Sequence, residues 1–202
     1  MLNKVDIDNS TLEAIYWWNR TEGYYHYYFS KLDMLTANQE LLDFFSTKVF
    51  EIFLREYSIR RNITSGDESP KKFLIELANN NYFERVVNGD IAVVDDTSEY
   101  FKNVGNITNN RHSRSLLSKV AFLVNPMQFS LMDGYAKDSL WDIIKSNRDI
   151  KRKQLDSYSF FIEQINLVID EKEDSFKQIN LQLFDYPDSR ATNFFSRNPM
   201  AF

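Results

Sequence analysis

The chain has 202 residues, a net charge of −5, 43% hydrophobic and 15% aromatic residues, and no cysteine. That is apolar material enough for one packed domain and too much for a disordered chain, and the missing cysteines exclude disulfides, thiolate zinc sites and cysteine-held iron–sulfur clusters. Only 5 glycines and 4 prolines argue against a many-stranded β protein, no apolar run nears the ~18 residues of a membrane span, and Met1-Leu2-Asn3-Lys4-Val5-Asp6 does not read as a secretory signal.

In chain order, Ser10 with Glu13 reads as a capping box opening a helix through Ile15, Trp17 and Trp18. The aromatic segment Tyr16 to Phe29, with His26 among its rings, predicts a core helix pair beneath the main bundle. Thr36 with Gln39 opens a longer helix to about Tyr57, with Leu41, Leu42, Phe44, Phe45, Val49, Phe50, Ile52 and Phe53 giving a wide apolar face. A polar loop, 64–68, leads to Ser69-Pro70, a cap and first-turn pair for a helix through Phe73, Leu74 and Leu77 that Asn79-Asn80-Asn81 ends.

Ile91-Ala92-Val93-Val94 is the one short β-branched run and predicts a strand or extended connector. Ser98 to Val104 predicts a short helix stopped by Gly105. Further helices are expected over Ser113–Leu123, Ser130–Ile144, Leu155–Ile169 and Asp174–Leu183, with Asn125-Pro126 breaking the chain between the first two. The expected fold is all-α: a compact multi-helix bundle of one domain in two packed halves, 1–95 and 96–202. A reducing cytoplasm fits the absence of cysteine.

Charge is segregated along the chain. Arg111, Arg114 and Lys119 carry no acid between them, and Arg148, Lys151, Arg152 and Lys153 stand against Asp149 alone. Acid gathers at Asp90, Asp95, Asp96 and Glu99, and again from Asp170 to Asp174. Such segregation suits a molecule with one anion-facing side. Two histidines without a Glu-x-x-His or His-x-x-x-His pair predict no metal centre, and no glycine-rich phosphate loop or cysteine nucleophile predicts a cofactor.

One stretch concentrates the chemistry. Ser118-Lys119-Val120-Ala121 sets a lysine among apolar residues near the start of a helix, and fourteen residues later Asp133 lies near the start of the next. Asp133, three residues after Ser130, fits a capping box, and a lysine in this apolar pattern also suits a side chain that snorkels to solvent.

With Pro126 between them and Phe129-x-Leu131-x-Asp133-x-Tyr135-Ala136 after, these residues resemble the core signature of helix-hairpin-helix DNA glycosylases, in particular small bacterial proteins similar to 8-oxoguanine glycosylases. The likeness covers about residues 115–140. It implies that Lys119 is a Schiff-base nucleophile and Asp133 the carboxylate that offsets positive charge on the sugar as a modified purine departs. It further implies duplex DNA with a flipped base as partner, and base excision with or without strand cleavage. A desolvated amine at a positive helix end holds its proton less tightly, which such a nucleophile needs. Where the family has Gly-x-Gly before its lysine, this chain has Leu116-Leu117-Ser118, so Ser118 and the side chains of Arg111, His112 and Arg114 are expected to meet the phosphates, with Arg148, Lys151 and Arg152 beside them. Tyr135, Trp141 and Trp17 are the candidates for the base pocket.

A second reading, from the acidic balance, the aromatic N-terminal segment and the absent glycines, is a non-catalytic α-helical interaction protein of a mobile-element or phage-defence locus, with a protein partner. A third is sequence-independent DNA binding through Arg148 to Lys153.

Overall fold

The computed structural model describes residue 16, residues 22–32 and residues 37–172. Among these, helices and turns make the whole fold and there is no strand. Helix α1 is Gly23–Phe29. Helix α2, Gln39–Phe44, passes through a π-helical stretch, Phe45–Phe50, into α3, Glu51–Glu56. Then come α4 (Ser69–Asn79), α5 (Tyr82–Val87), α6 (Val93–Val104), α7 (Arg114–Val124), α8 (Gly134–Ile144) and α9 (Tyr158–Glu171), with 3-10 turns at Arg60–Asn62 and Arg152–Asp156. No described helix is long and apolar enough to cross a membrane. The expected Ser10–Glu13 cap, the cap at Thr36 and the helix over Asp174–Leu183 lie outside the described residues.

Local chemistry sets the boundaries. Asn38 caps α2, its side-chain oxygen accepting from the backbone N–H groups of Glu40 and Leu41 at 3.0 and 3.1 Å. Pro70 sits in the first turn of α4, where its missing N–H costs nothing, and Asn81, at φ 54°, turns the chain from α4 into α5. Gly105, at φ +75°, ends α6 as expected; a Cβ there would meet the Asn110 side chain at 2.8 Å.

The β-branched run is a correction. It is neither strand nor extended connector: Val93 and Val94 open α6, five residues before the expected start at Ser98. Asp90 starts the turn, its side chain accepting from the Ala92 N–H at 3.1 Å. Both valines are fully buried, and that burial outweighs their mild aversion to helix. Positions 95 and 96 therefore lie within one helix, so the two expected halves share an element as well as a core.

Helix α7 is the central element: α1, α5 and α6 all pack against it, and α9 packs against both α6 and α8. This explains its composition. Leu116, Leu117, Val120, Ala121 and Leu123 are all at most 1% exposed. The core around α7 is continuous from Tyr25 to Val168. Ser118 and Lys119, polar residues on this enclosed helix, must find partners inside the protein.

Candidate functional site

The chain leaves α7 at Asn125, whose side-chain N–H donates to the Val86 carbonyl at 3.0 Å and pins the turn to α5. The irregular segment that follows returns beside α7. Tyr158 holds it at Ser130, donating to the Ser130 carbonyl at 2.8 Å and accepting from its N–H at 3.0 Å. Ser118 holds it at Met132: the hydroxyl of Ser118 accepts from the Met132 N–H at 3.1 Å and donates to the Ser115 carbonyl at 3.2 Å. The residues next along each chain segment are Lys119 and Asp133, so the Ser118–Met132 latch fixes their separation.

Lys119 is 5% exposed, and its Nζ lies 3.4 Å from Asp133 Oδ2 and 3.4 Å from Ser115 Oγ. Asp133 is the N-cap of α8, its other oxygen accepting from the Ala136 N–H at 3.0 Å. One carboxylate therefore caps a helix with one oxygen and meets the buried amine with the other. Burial pushes the Asp133 carboxyl up, but the N–H groups of Ala136 and Tyr135, together with the Lys119 charge, outweigh it and hold the group below the usual carboxylate value.

Lys119 is the sixth residue of α7, in its second turn, and its amine reaches back to Ser115 in the first turn, toward the positive end of the helix. One expectation about this pair needs correction. Helix α8 begins at Gly134 rather than at Ser130, because Asp133 and not Ser130 supplies the cap.

The pair opens onto a cleft of about 950 Å³, at the upper end of the roughly 300–1,000 Å³ range of small-molecule sites. Ser115, Lys119, Met132, Asp133 and Tyr135 form one wall. Tyr57, Ser58, Arg61 and Asn62, from the turn that follows α3, also line the cleft, as do Lys153 and Asp156. Its lining holds five cations (Arg61, Arg114, Lys119, Lys137, Lys153) against three carboxylates (Asp133, Asp138, Asp156), an excess of two positive charges on a chain whose net charge is −5.

The structure brings Lys119, Asp133, His112, Arg114 and Tyr135 to this cleft, as expected, and disperses the other candidates. Ser118 is fully buried and latches the backbone, so it meets no phosphate. Trp141 packs against the core instead of lining the cleft, and Trp17 lies outside the described residues. Arg148 is drawn to Gln164 and Glu171, at 2.6 and 2.7 Å, away from the site. Arg152 is paired with Asp138, and Arg111 and Lys151 are exposed outside the lining. Tyr135, 88% exposed, stands at the rim rather than in a closed base pocket.

The charge expected of the hairpin is also reduced. Arg114 is bound to Asp95. Burial, then the charges of Arg114 and Lys102, hold the His112 imidazole below its usual value in spite of Glu99 and Asp95, so it is neutral at pH 7. Sequence reasoning missed the Ser115 hydroxyl, one helical turn before Lys119 and thus on the same face, a spacing the sequence does show. It missed the Tyr57–Asn62 part of the lining too, for which no spacing to Lys119 gives a signal.

No protein-family model, no curated protein and no solved structure matches the chain.

Proposed function

We propose that the chain is a DNA glycosylase-like enzyme that excises a modified purine from DNA, with Lys119 as nucleophile and Asp133 as charge stabiliser. One observation carries the reading: an amine that is almost fully buried sits 3.4 Å from a carboxylate held anionic, in the lining of a cationic cleft large enough for a nucleoside. Lys119 gives up its ammonium proton to the departing base as its nitrogen attacks C1′ of the flipped nucleoside. The bond from C1′ to the base breaks, its electron pair leaves with the base, and the base takes up this proton. The Asp133 carboxylate lies where positive charge grows on the sugar. The substituted nitrogen then gives one proton to solvent, its lone pair expels the ring oxygen, which takes up a proton, and a protonated imine joins Lys119 to C1′.

The test is reductive trapping. With borohydride and a duplex bearing 8-oxoguanine, the protein forms a covalent adduct seen as a shifted band, and Lys119→Gln, folded by circular dichroism, forms none. No adduct across a panel of oxidised, alkylated and deaminated bases would overturn the reading.

One observation favours the second reading, a non-catalytic helical interaction protein. Tyr24, Tyr27, Leu41 and Phe44 are each 43–58% exposed, a supply of surface apolar side chains on α1 and α2. A protein partner whose binding is unchanged by Lys119→Ala, with no DNA affinity at low salt, is the result it requires.

A further inference from the structure

Five cations line the cleft, and three of them are already matched. Arg114 is bound to Asp95, Lys119 faces Asp133, and Lys137 meets Asp156 at 2.6 Å. The remaining two, Arg61 and Lys153, have no carboxylate partner among the described residues, and both are exposed. Each stands on a short 3-10 turn, Arg61 within Arg60–Asn62 and Lys153 within Arg152–Asp156. These turns come from parts of the chain far apart in sequence and belong to neither α7 nor α8. The uncompensated charge of the cleft is therefore on these two turns, not on the segment that carries Lys119 and Asp133.

We propose that Arg61 and Lys153 form a phosphodiester-binding pair that holds a nucleic-acid backbone on either side of the nucleoside presented to Lys119. The assignment rests on the glycosylase-like reading and deepens it by naming what grips the strand. A cation inside an ion pair has little field left to offer, and rearranging it breaks the pair. A solvated, unmatched cation releases a counterion on meeting a phosphate at no such cost. Arg61 adds a planar fork of donors suited to two phosphate oxygens, and Lys153 adds a mobile point charge. The glycines whose bare amides would cradle a phosphate before Lys119 are absent, and Ser118 is occupied by Met132, so the grip has to come from elsewhere.

The experiment measures the affinity of the full chain for a duplex with a central abasic-site analogue by fluorescence anisotropy, across a series of salt concentrations. Arg61→Ala and Lys153→Ala should each lower the slope of log affinity against log salt by about 1, and the double variant by about 2. Lys48→Ala, which removes an exposed charge outside the lining, should leave the slope unchanged and controls for net charge. Slopes equal to that of the unaltered chain or of Lys48→Ala overturn the proposal, as does displacement of the duplex by equimolar deoxynucleoside monophosphate, which would make the site one for free nucleotides. Altered slopes without a borohydride adduct would support the backbone site and defeat the glycosylase reading. An adduct with unaltered slopes would do the reverse.

Discussion

Asp133 does two things at once, and they can be separated. As the N-cap of α8 it needs an acceptor oxygen, which asparagine supplies equally well; as a partner for Lys119 it needs a negative charge, which asparagine lacks. Asp133→Asn should change folding stability by no more than about 1 kcal/mol while lowering the rate of reductive trapping by about 10²–10³-fold. Thermal melts and single-turnover trapping measure the two effects on one preparation. A trapping rate within a few-fold of the unaltered chain would confine Asp133 to its capping role. This pair was legible in the sequence because a chain break, Asn125-Pro126, lies between a lysine on an apolar helix and an acid at a helix start. Its depth was not legible. Nothing in the local pattern says that α7 is enclosed on several sides, and this enclosure keeps the Lys119 stem from reaching bulk water.

At the scale of elements, the start of α9 is held from another helix. The Asp95 carboxylate, on α6, accepts from Ser157 Oγ at 2.9 Å and from the Tyr158 and Ser159 N–H groups at 3.0 and 2.9 Å, and it also binds Arg114 at the start of α7. One side chain thus joins three helices. Burial pushes the Asp95 carboxyl up, yet these four partners together hold it below the usual carboxylate value. The folded chain then binds this proton less tightly than the unfolded chain. The stability it contributes is complete above the unfolded value of about 4 and is lost as pH falls through the lower folded value. Asp95→Ala should cost about 2–3 kcal/mol near neutral pH, and the loss should shrink below about pH 4, as urea titrations at a series of pH values would show. A cost that does not vary with pH would remove the ionised carboxylate from the account. Helix ends such as Pro70 and Gly105 were readable because their signals are local, although Ser69, expected as a cap, is itself the first helical residue and donates to the Ser65 carbonyl. The entry into α6 at Val93 was not, because the burial that decides it depends on α7, which arrives some twenty residues later.

At the scale of the molecule, one aromatic chain runs through the core. Phe29 meets Phe45, Phe45 stacks on Phe50, Phe50 on Phe73, and Phe73 meets Phe101, with ring centroids 5.3–6.2 Å apart. It joins α1, the α2–α3 segment, α4 and α6, which the sequence divided between two halves. Phe73→Ala, at its middle, should destabilise by about 3–5 kcal/mol and lower the melting temperature in a single transition, coincident by far-ultraviolet circular dichroism and aromatic fluorescence. Two separated transitions would mean that the halves melt independently. The all-α class was legible from composition and helical periodicity. The Tyr57–Asn62 part of the cleft lining was not, because it and Lys153 come together with Lys119 only through tertiary packing. The π-helical stretch Phe45–Phe50 bears on that part most directly, since it accommodates more residues per turn than an α-helix and so sets the angular position of everything after it. Deleting a single residue there would let the stretch tighten to α-helix with little net rotation of α3, whereas the same deletion within α3 would turn everything after it by about 100° about the axis. The chain thus carries, some seventy residues upstream of Lys119, a widened turn that fits an additional residue between α2 and α3 without displacing the Tyr57–Asn62 segment that lines the cleft.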